Sequence, residues 1–314
     1  MQEITLVAGG AGFIGPHLIR RLLAMGHEVV CLDNLSTGRP AVLDPFRNEP
    51  GFRFVEGDVR DLPSLPPVQR VFNLACPASP RHYQADPVGT LMTSVEGTRQ
   101  LLEYSHTVGA RMLQASTSEV YGSPLVHPQH ESHWGNVNPV GPRACYDEGK
   151  RCAETLCADY RRTRGLSTRI ARIFNTFGPG MSSADGRVIS TFVHQALDGE
   201  PITVFGDGRQ TRSFCYVDDL VSGLIALMDC DDDDVGPMNL GNPREVTMLE
   251  LVRHVERATG MPVDVRFCDL PEDDPPQRRP VIDQAVARLG WRPRISLEEG
   301  LERYVAAAYA PECA

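Results

Sequence analysis

The chain has 314 residues, of which 41% are hydrophobic and 23% charged, a globular composition that excludes a disordered or collagen-like protein. Its formal net charge of −10 argues against a general binder of the nucleic-acid backbone, which needs an excess of basic residues. A small anionic ligand would require positive charge concentrated at one site.

Short β-rich runs alternate with longer amphipathic runs in the first part of the chain, which is typical of a parallel sheet covered by helices. The predicted fold class is therefore α/β, with a Rossmann-like doubly wound parallel sheet. The predicted strands are Ile4–Ala8, Glu28–Asp33, Phe52–Gly57, Arg70–Ala75, Arg111–Ser116 and Ser167–Phe174. The predicted helices are Phe13–Met25, Gly89–Val108 and Ala144–Arg164.

The pattern changes after Phe174, where Gly-Pro-Gly at 178–180 and Gly-Asp-Gly at 206–208 interrupt short, isolated strands. We expect one domain over residues 1–175 and a smaller, mixed one over residues 176–314. The segment of about 214–241 contains a predicted helix, Val217–Met228, and a predicted strand, Met238–Leu240. We expect this segment to return to the first sheet.

A glycine-rich turn follows the first predicted strand and opens the first helix. Gly9, Gly12 and Gly15 are spaced by three, which predicts a tight turn whose backbone approaches a pyrophosphate at the helix N-terminus. Asp33 ends the second strand, where a carboxylate binds ribose hydroxyls and repels a 2′-phosphate. The pattern favours NAD over NADP, with Asp58 placed to contact the adenine. An ordinary loop at the glycines and a strand-end turn at Asp58 are the alternatives.

Tyr146 and Lys150 lie four residues apart on one face of the third predicted helix. A free tyrosine has a pKa of about 10, and a neighbouring ammonium together with a positive nicotinamide favours the phenolate. We therefore expect a lowered pKa for Tyr146. The same spacing is also typical of a surface pair. The segment Ala115–Glu119 favours catalysis, because it leaves a buried strand at its carboxyl end, where open α/β sheets bind ligands.

Together these motifs resemble the extended short-chain dehydrogenase/reductase family, the NAD-dependent epimerases and dehydratases that act on nucleotide sugars. Four segments are similar to those of its UDP-glucuronate decarboxylases: 116–122, 141–150, 172–179 and 206–212. Ser118 stands where the 4,6-dehydratases carry an acidic Asp, and Glu119 is a carboxylate that the hexose 4-epimerases lack. This pair favours a decarboxylase. A UDP-glucuronate 4-epimerase, a sugar-nucleotide 4,6-dehydratase and a catalytically silent NAD-binding protein remain alternatives.

The resemblance implies that UDP-glucuronic acid is oxidised at C4, loses carbon dioxide and is reduced again to UDP-xylose, with tightly bound NAD regenerated. It implies catalytic roles for Tyr146, Lys150, Thr117, Ser118, Glu119 and Arg278, with Arg278 as the counter-charge of the reacting carboxylate. Besides Tyr146 and Lys150, the implied cofactor contacts are Gly9, Gly12, Phe13, Ile14, Gly15, Asp33, Asn34, Thr37, Gly38, Asp58, Val59, Leu74, Cys76, Thr93, Ala115, Thr176 and Arg187.

The resemblance also assigns the substrate contacts and the assembly. The implied substrate contacts are Asn175 and Arg212 at the diphosphate, Val188 and Phe205 at the uracil, and Gln210, Tyr216 and Arg278. Residues 1–175 become an NAD-binding domain and residues 176–314 a nucleotide-sugar-binding domain. The family also implies a homodimer formed through helices 89–108 and 144–164.

The remaining patterns concern cysteines, metals and targeting. Nine cysteines are spread from Cys31 to Cys313 without a C-x-x-C pair, which predicts free thiols in a reducing compartment. Neither a secretory signal nor a membrane span is expected, so the protein is predicted to be cytoplasmic. The histidines at 127, 130 and 133 and the acidic run 229–234 could suggest metals, but Pro128 and the missing EF-hand residues favour polar loops. We predict no metal site.

Overall fold

The computed structural model describes residues 3–182, 185–232, 235–270 and 277–309. Its strands are β1 (Ile4–Ala8), β2 (Glu28–Asp33), β3 (Phe52–Glu56), β4 (Arg70–Asn73), β5 (Arg111–Thr117), β6 (Thr168–Ile173), β7 (Thr176–Phe177), β8 (Ile202–Phe205), β9 (Thr211–Ser213), β10 (Cys215–Tyr216), β11 (Met238–Leu240), β12 (Glu245–Thr247), β13 (Val265–Cys268) and β14 (Gln277–Arg278). Its α-helices are α1 (Ile14–Ala24), α2 (Pro80–Tyr83), α3 (Pro87–Met92), α4 (Thr98–Val108), α5 (Ala144–Arg164), α6 (Val188–Leu197), α7 (Val217–Asp229), α8 (Met248–Thr259), α9 (Asp283–Leu289) and α10 (Leu297–Tyr309).

A seven-stranded parallel sheet forms the centre of the molecule, in the order β11-β6-β5-β4-β1-β2-β3. The α/β fold class predicted from the alternating pattern is confirmed, and the six predicted strands are present with ends shifted by at most two residues. Apart from the edge strand β3, these strands are largely buried because helices cover both faces, which is why they are nearly continuous apolar runs. The carboxyl ends of β1, β2, β4 and β5 consequently meet at one edge.

The strand β11 lies beside β6, with Met238 opposite Ala171 and Leu240 opposite Ile173. Residues 238–240 therefore belong to the large sheet, although about 65 residues separate them from β6 along the chain. One buried apolar cluster runs from β1 through α7 to α8 and α10. The division at residue 175 stays a prediction, since this core is shared by both parts of the chain.

The predicted helix 89–108 differs from the structure in two ways. It begins earlier, as α3 at Pro87, because the Asp86 side chain accepts the Gly89 amide at 2.9 Å and proline fits the first helical position. It also contains a π-helical turn over Thr93–Gly97 between α3 and α4. Such a turn inserts one residue and is frequent at functional sites. Hydrophobic periodicity alone does not reveal it.

Several smaller expectations can be compared with the structure. The eight cysteines within the described residues are free thiols, and Cys313 lies outside them. Residues 233 and 234 of the acidic run are also outside the described part of the chain. Over the ranges that the structure describes, no helix has both the length and the apolar character needed to cross a membrane.

Candidate active site

A cleft with about 500 Å³ of empty space opens at the carboxyl ends of β1, β2 and β4. Nine of the predicted cofactor residues line it: Gly9, Gly12, Asp33, Asn34, Thr37, Val59, Leu74, Cys76 and Thr93. The lining residues that sequence reasoning did not name are Leu32, Ser36, Gly57, Ala75 and Pro77. Each of these residues is adjacent in sequence to a predicted cofactor contact. That adjacency was the only feature of the sequence that could have indicated them.

The glycine-rich turn between β1 and α1 fits a pyrophosphate. Gly9 has a φ of +77°, and a Cβ there would lie 2.7 Å from the Ala75 amide nitrogen. A Cβ on Gly15 would lie 2.2 Å from the Gly10 carbonyl oxygen, so the helix packs against the turn too closely for any side chain at this position. A Cβ on Gly12, by contrast, would meet only the Gly9 carbonyl oxygen at 3.4 Å, because this position faces the cleft. The turn therefore has the open, side-chain-free surface that a diphosphate needs.

Asp33 is held rigidly at the end of β2. Its carboxylate oxygens accept the Ala11 and Leu35 amides at 2.9 and 2.8 Å, and a Cβ on Gly38 would lie 2.9 Å from Oδ1. Burial raises the pKa of Asp33, while the two backbone amides oppose that shift. Each carboxylate oxygen keeps a lone pair for a further donor, such as a ribose hydroxyl.

The other predicted cofactor residues lie around this cleft or in the core beside it. Asp58 accepts the Arg60 guanidinium and the Asn34 amide, and these bonds, Arg60 first, lower its pKa to about 2. The guanidinium of Arg187 pairs with Asp185 and lies 5.6 Å from the centre of the Phe13 ring. Ile14 packs against the apolar core, and the buried Thr176 donates to the Phe174 carbonyl. Their contacts with NAD stay predictions.

Four predicted catalytic residues come together where β5 meets the first turns of α5. Thr117 ends β5, and its hydroxyl accepts the Glu119 amide and lies near enough to the Tyr146 phenol to lower the pKa of that phenol. The Lys150 ammonium donates to the Ala115 carbonyl at 2.9 Å and lies 5.8 Å from the centre of the Tyr146 ring. The helical spacing and the strand end therefore converge on one buried spot, which excludes the surface-pair interpretation.

The residues of the chain alone do not lower the pKa of Tyr146, so the predicted lowering, which included a positive nicotinamide, stays a prediction. Burial raises the pKa of this phenol above its ordinary value, and the nearby Cys76 thiol raises it further, whereas only the Thr117 hydroxyl among the main influences lowers it. The Lys150 ammonium, which donates to the Ala115 carbonyl, is not among these main influences. A positive nicotinamide ring beside the phenol is the remaining source of a lower pKa.

Glu119 lies between two arginines. The Nη2 atom of Arg143 donates to Glu119 Oε2 at 2.7 Å, and Nη1 of Arg278 donates to Oε1. Burial favours the neutral acid, but the two guanidinium groups hold the pKa of Glu119 at about 2. Within the described residues, Nη2 of Arg278 is buried and has no hydrogen-bond partner. Two arginines and one carboxylate leave one positive charge, with a donor available for an anion.

Arg143 and Tyr83 are parts of this site that sequence reasoning missed. Arg143 lies in the quoted segment 141–150, three residues before Tyr146, and only the folded chain brings it to Glu119. Tyr83 comes from the short helix α2, and its ring stacks on that of Tyr146 at 5.1 Å with an angle of 6°. No signal in the sequence connects Tyr83 to Tyr146.

Asp147 is a buried carboxyl beside Tyr146, and its Oδ1 has no hydrogen-bond partner among the described residues. Burial and the negative charge of Glu119 raise its pKa to about 7. An acid whose pKa is raised on folding costs stability as the pH rises from its unfolded value to its folded value. Wild-type stability should therefore fall between about pH 4 and pH 7 through this group.

We expect Asp147→Asn to be as stable as the wild type at pH 4 and more stable above pH 7, by about 4 kcal/mol. Denaturant unfolding of both proteins across this pH range measures the difference. Glu148→Gln is the matched control, because Glu148 is half-exposed and pairs with Arg151, so its effect should be small. A gap between Asp147→Asn and the wild type that does not grow with pH would contradict the assignment.

The predicted substrate residues lie on the second part of the chain. Arg212 on β9 is opposite Arg278 on β14 in the parallel register, and both are buried. Gln210 donates to the carbonyl of the half-exposed Phe205, and Val188 begins α6. The carbonyl of Asn175 accepts the Cys215 amide, while Tyr216 packs edge-on against Phe177 under α10. Their contacts with a nucleotide sugar stay predictions.

Comparison with known proteins identifies the family. The model of the NAD dependent epimerase/dehydratase family matches residues 5–241. The chain belongs to this family. The resemblance seen in its motifs is thereby confirmed, and NAD is the cofactor of the family and of this chain. The glycine-rich turn and Asp33 provide the surface and the carboxylate that this dinucleotide needs.

Several curated proteins are similar to this chain over almost its whole length. UDP-glucuronic acid decarboxylase 1 of Arabidopsis thaliana is 53% identical over 300 residues, which are 96% of this chain and 68% of that protein. UDP-glucuronic acid decarboxylase 1 of Xenopus tropicalis is 48% identical over 97% of this chain and 72% of its own length. The chain thus spans about two thirds of the length of these relatives.

Solved structures of the family have the same fold. The UDP-glucuronic acid 4-epimerase of Bacillus cereus, in complex with UDP-glucuronic acid and NAD, superposes with a TM-score of 0.88 at 26% identity, over 97% of this chain and 98% of that one. The UDP-glucose 4-epimerase of Thermotoga maritima, with UDP-glucose, has a TM-score of 0.88 at 30% identity, again over 97% and 98%.

Proposed function

We propose that this protein is an NAD-dependent UDP-glucuronic acid decarboxylase that produces UDP-xylose. The observation that carries the proposal is the buried Nη2 of Arg278, a cationic donor without a partner among the described residues, at the Glu119 end of the Tyr146 site. A sugar carboxylate fills such a position well. The 53% identity to a plant UDP-glucuronic acid decarboxylase supports the same reaction.

The reaction begins at the C4 hydroxyl of the sugar. The glycine-rich turn and Asp33 would hold NAD, which would supply the acceptor and the donor of the C4 hydride. The Tyr146 phenolate takes the hydroxyl proton, and the Thr117 hydroxyl at the end of β5 favours that phenolate. Lys150, fixed on the Ala115 carbonyl, keeps a positive charge near the tyrosine ring. These residues orient the hydroxyl and move one proton, as general base catalysis requires.

Carbon dioxide then leaves because the new C4 ketone is β to the C6 carboxylate. The C5–C6 bond breaks, and its electron pair passes into an enolate. Arg278 holds the carboxylate beside Glu119, and Arg143 keeps Glu119 ionised and turned toward Arg278. A proton added at C5 restores the ketone. Returning the C4 hydride and the Tyr146 proton gives UDP-xylose.

Position 118 carries no acid for dehydration. A 4,6-dehydratase expels the C6 hydroxyl as water with an acidic side chain, and the buried Ser118 offers only a hydroxyl at that position. The structural neighbour from Bacillus cereus is an epimerase of UDP-glucuronic acid, so 4-epimerisation is the second candidate. It forms the same ketone and keeps the carboxylate.

Product mass distinguishes these reactions. Incubation of the protein with NAD and UDP-glucuronic acid should give a nucleotide sugar lighter by one carbon dioxide. An epimerase leaves the mass unchanged and inverts C4, and a dehydratase removes water. UDP-glucose is the control substrate, since it has no carboxylate to lose. An unchanged mass with UDP-glucuronic acid would contradict the decarboxylase.

The proposal also assigns a ligand to each part of the chain. Residues 1–175 hold NAD and residues 176–314 hold the nucleotide sugar.

The proposed assembly is a homodimer. Helices 89–108 and 144–164 form its interface, which is supported by the exposed apolar side chains of Val88 and Met92, 71% and 42% exposed, at the start of this helical region. The free thiols of the described cysteines suit a cytoplasmic, reducing environment.

A further inference from the structure

Gln129 is fully buried in the connection between β5 and α5, and it contacts the segment that carries Arg278. Its backbone amide donates to the Arg279 carbonyl at 2.9 Å, and its carbonyl accepts the Val281 amide at 2.7 Å. Its side-chain Oε1 accepts the Arg279 amide at 2.8 Å, and Nε2 donates to the Val126 carbonyl at 2.9 Å. One residue thus satisfies three backbone groups of residues 279–281.

The segment 277–281 has little else to fix its register. The strand β14 contains only two residues, which pair with β9 on the other side, and the Ser213 hydroxyl donates to the Arg278 carbonyl at 3.4 Å. The guanidinium of Arg278 donates to the Glu119 carboxylate. The backbone at and after Arg278 is held by β9 on one side and by Gln129 on the other.

A second layer holds Gln129 itself. The Asn239 amide donates to the carbonyls of Gln129 and Val281, at 3.1 Å each. The Tyr121 hydroxyl donates to Asn239 Oδ1 at 2.7 Å and accepts from Arg172 at 3.0 Å. A continuous set of hydrogen bonds therefore runs from β6 and the edge strand β11 to Gln129, so that the central sheet determines where Arg278 lies.

We propose that Gln129 is a positioning residue for Arg278: it sets where the counter-charge of the sugar carboxylate lies, without touching the substrate. This inference rests on the proposed decarboxylase function. Because a misplacement of 1 Å can cost about 10²-fold in rate, a loss of the side-chain bonds of Gln129 should be visible in catalysis. The effect should be specific to substrates that have the carboxylate.

The test compares Gln129→Leu with the wild type on two ligands. We expect kcat/KM for UDP-glucuronic acid to fall about 10- to 100-fold, because the leucine leaves the Arg279 amide without its acceptor. The inhibition constant of UDP-xylose, which has no carboxylate, should stay within about two-fold, because its binding needs no counter-charge. Equal losses with both ligands, or no loss, would overturn the inference.

Two further variants separate positioning from general damage. Gln129→Glu keeps an acceptor for the Arg279 amide and should recover most of the lost activity. Gln195→Leu is the matched control, since Gln195 accepts the Thr203 amide and donates to the Thr203 hydroxyl, both at 3.0 Å, and joins α6 to β8. Its activity should remain near that of the wild type. A loss in Gln195→Leu equal to that in Gln129→Leu would contradict a specific role.

Hydrogen exchange provides a readout that does not depend on activity. The Arg279 amide donates to the Gln129 side chain, so it should exchange faster in Gln129→Leu than in the wild type. The Val281 amide donates to the backbone carbonyl of residue 129, which the variant keeps, so its exchange is the internal reference. Unchanged exchange at the Arg279 amide would overturn the inference. If the wild type releases no carbon dioxide, the proposed function fails, and the exchange experiment still decides whether Gln129 fixes this segment.

Discussion

Replacement of Tyr146 by phenylalanine is expected to lower turnover about 10²- to 10⁴-fold, the contribution of a well-placed general base. The variant keeps the ring that stacks on Tyr83 and loses only the oxygen that takes the C4 proton. Single-turnover release of carbon dioxide measures the chemical step, and the absorbance of reduced nicotinamide follows the first hydride transfer. Both should fall together, since each needs the C4 hydroxyl to be deprotonated.

Tyr83→Phe is the matched control for this prediction. The Tyr83 hydroxyl is buried and has no hydrogen-bond partner among the described residues, so its removal leaves the stacked ring in place. Turnover should stay within about three-fold of the wild type, because nothing in the reaction uses this oxygen. Near-native carbon dioxide release by Tyr146→Phe would refute the assignment of the base.

Arg278→Met should reduce kcat/KM for UDP-glucuronic acid about 10²- to 10³-fold, since an uncompensated buried charge costs about 3–5 kcal/mol. The methionine fills space near the partly buried Glu119 but supplies no donor to the sugar carboxylate. Glu119 would keep only Arg143 as a partner, so its pKa should rise from about 2. The acid limb of the pH profile should therefore move to higher pH.

Steady-state kinetics over a range of pH checks both consequences. Arg279→Met is the control, because its guanidinium pairs with Glu245 at 3.3 Å, and the methionine keeps the backbone that bonds to Gln129. Arg278→Lys should lie between the wild type and Arg278→Met, since it keeps the charge and loses the planar fork. Wild-type kinetics in Arg278→Met would exclude Arg278 as the counter-charge.

The large sheet could be predicted from the sequence because its strands are short apolar runs with helices between them. Such local patterns survive tertiary packing, and β2 and β11 begin and end where they were expected. The π-helical turn at Thr93–Gly97 could not be predicted, because one inserted residue hardly changes the spacing of apolar side chains. It matters for the site, since Thr93 lines the cofactor cleft.

Some residues of the candidate site could be predicted from the sequence and others could not. The cofactor turn and the Tyr146 helix are continuous segments, so spacing alone could indicate them. Arg278 is 159 residues from Glu119, and only family resemblance pointed to it. Arg143, Tyr83 and Gln129 act through contacts that form when distant segments fold together. Likewise, the direction of the Tyr146 pKa depends on the burial of the phenol, which the local sequence does not specify.

The position of β11 has a consequence for synthesis on the ribosome. The edge of the cofactor sheet is closed by residues 238–240, and the Phe174 amide donates to the Leu240 carbonyl at 2.9 Å. A growing chain that stops at residue 175 therefore exposes the unpaired backbone of β6, a template for aggregation. The large sheet is complete only after residue 240 has been translated, so residues 1–175 cannot finish this sheet by themselves.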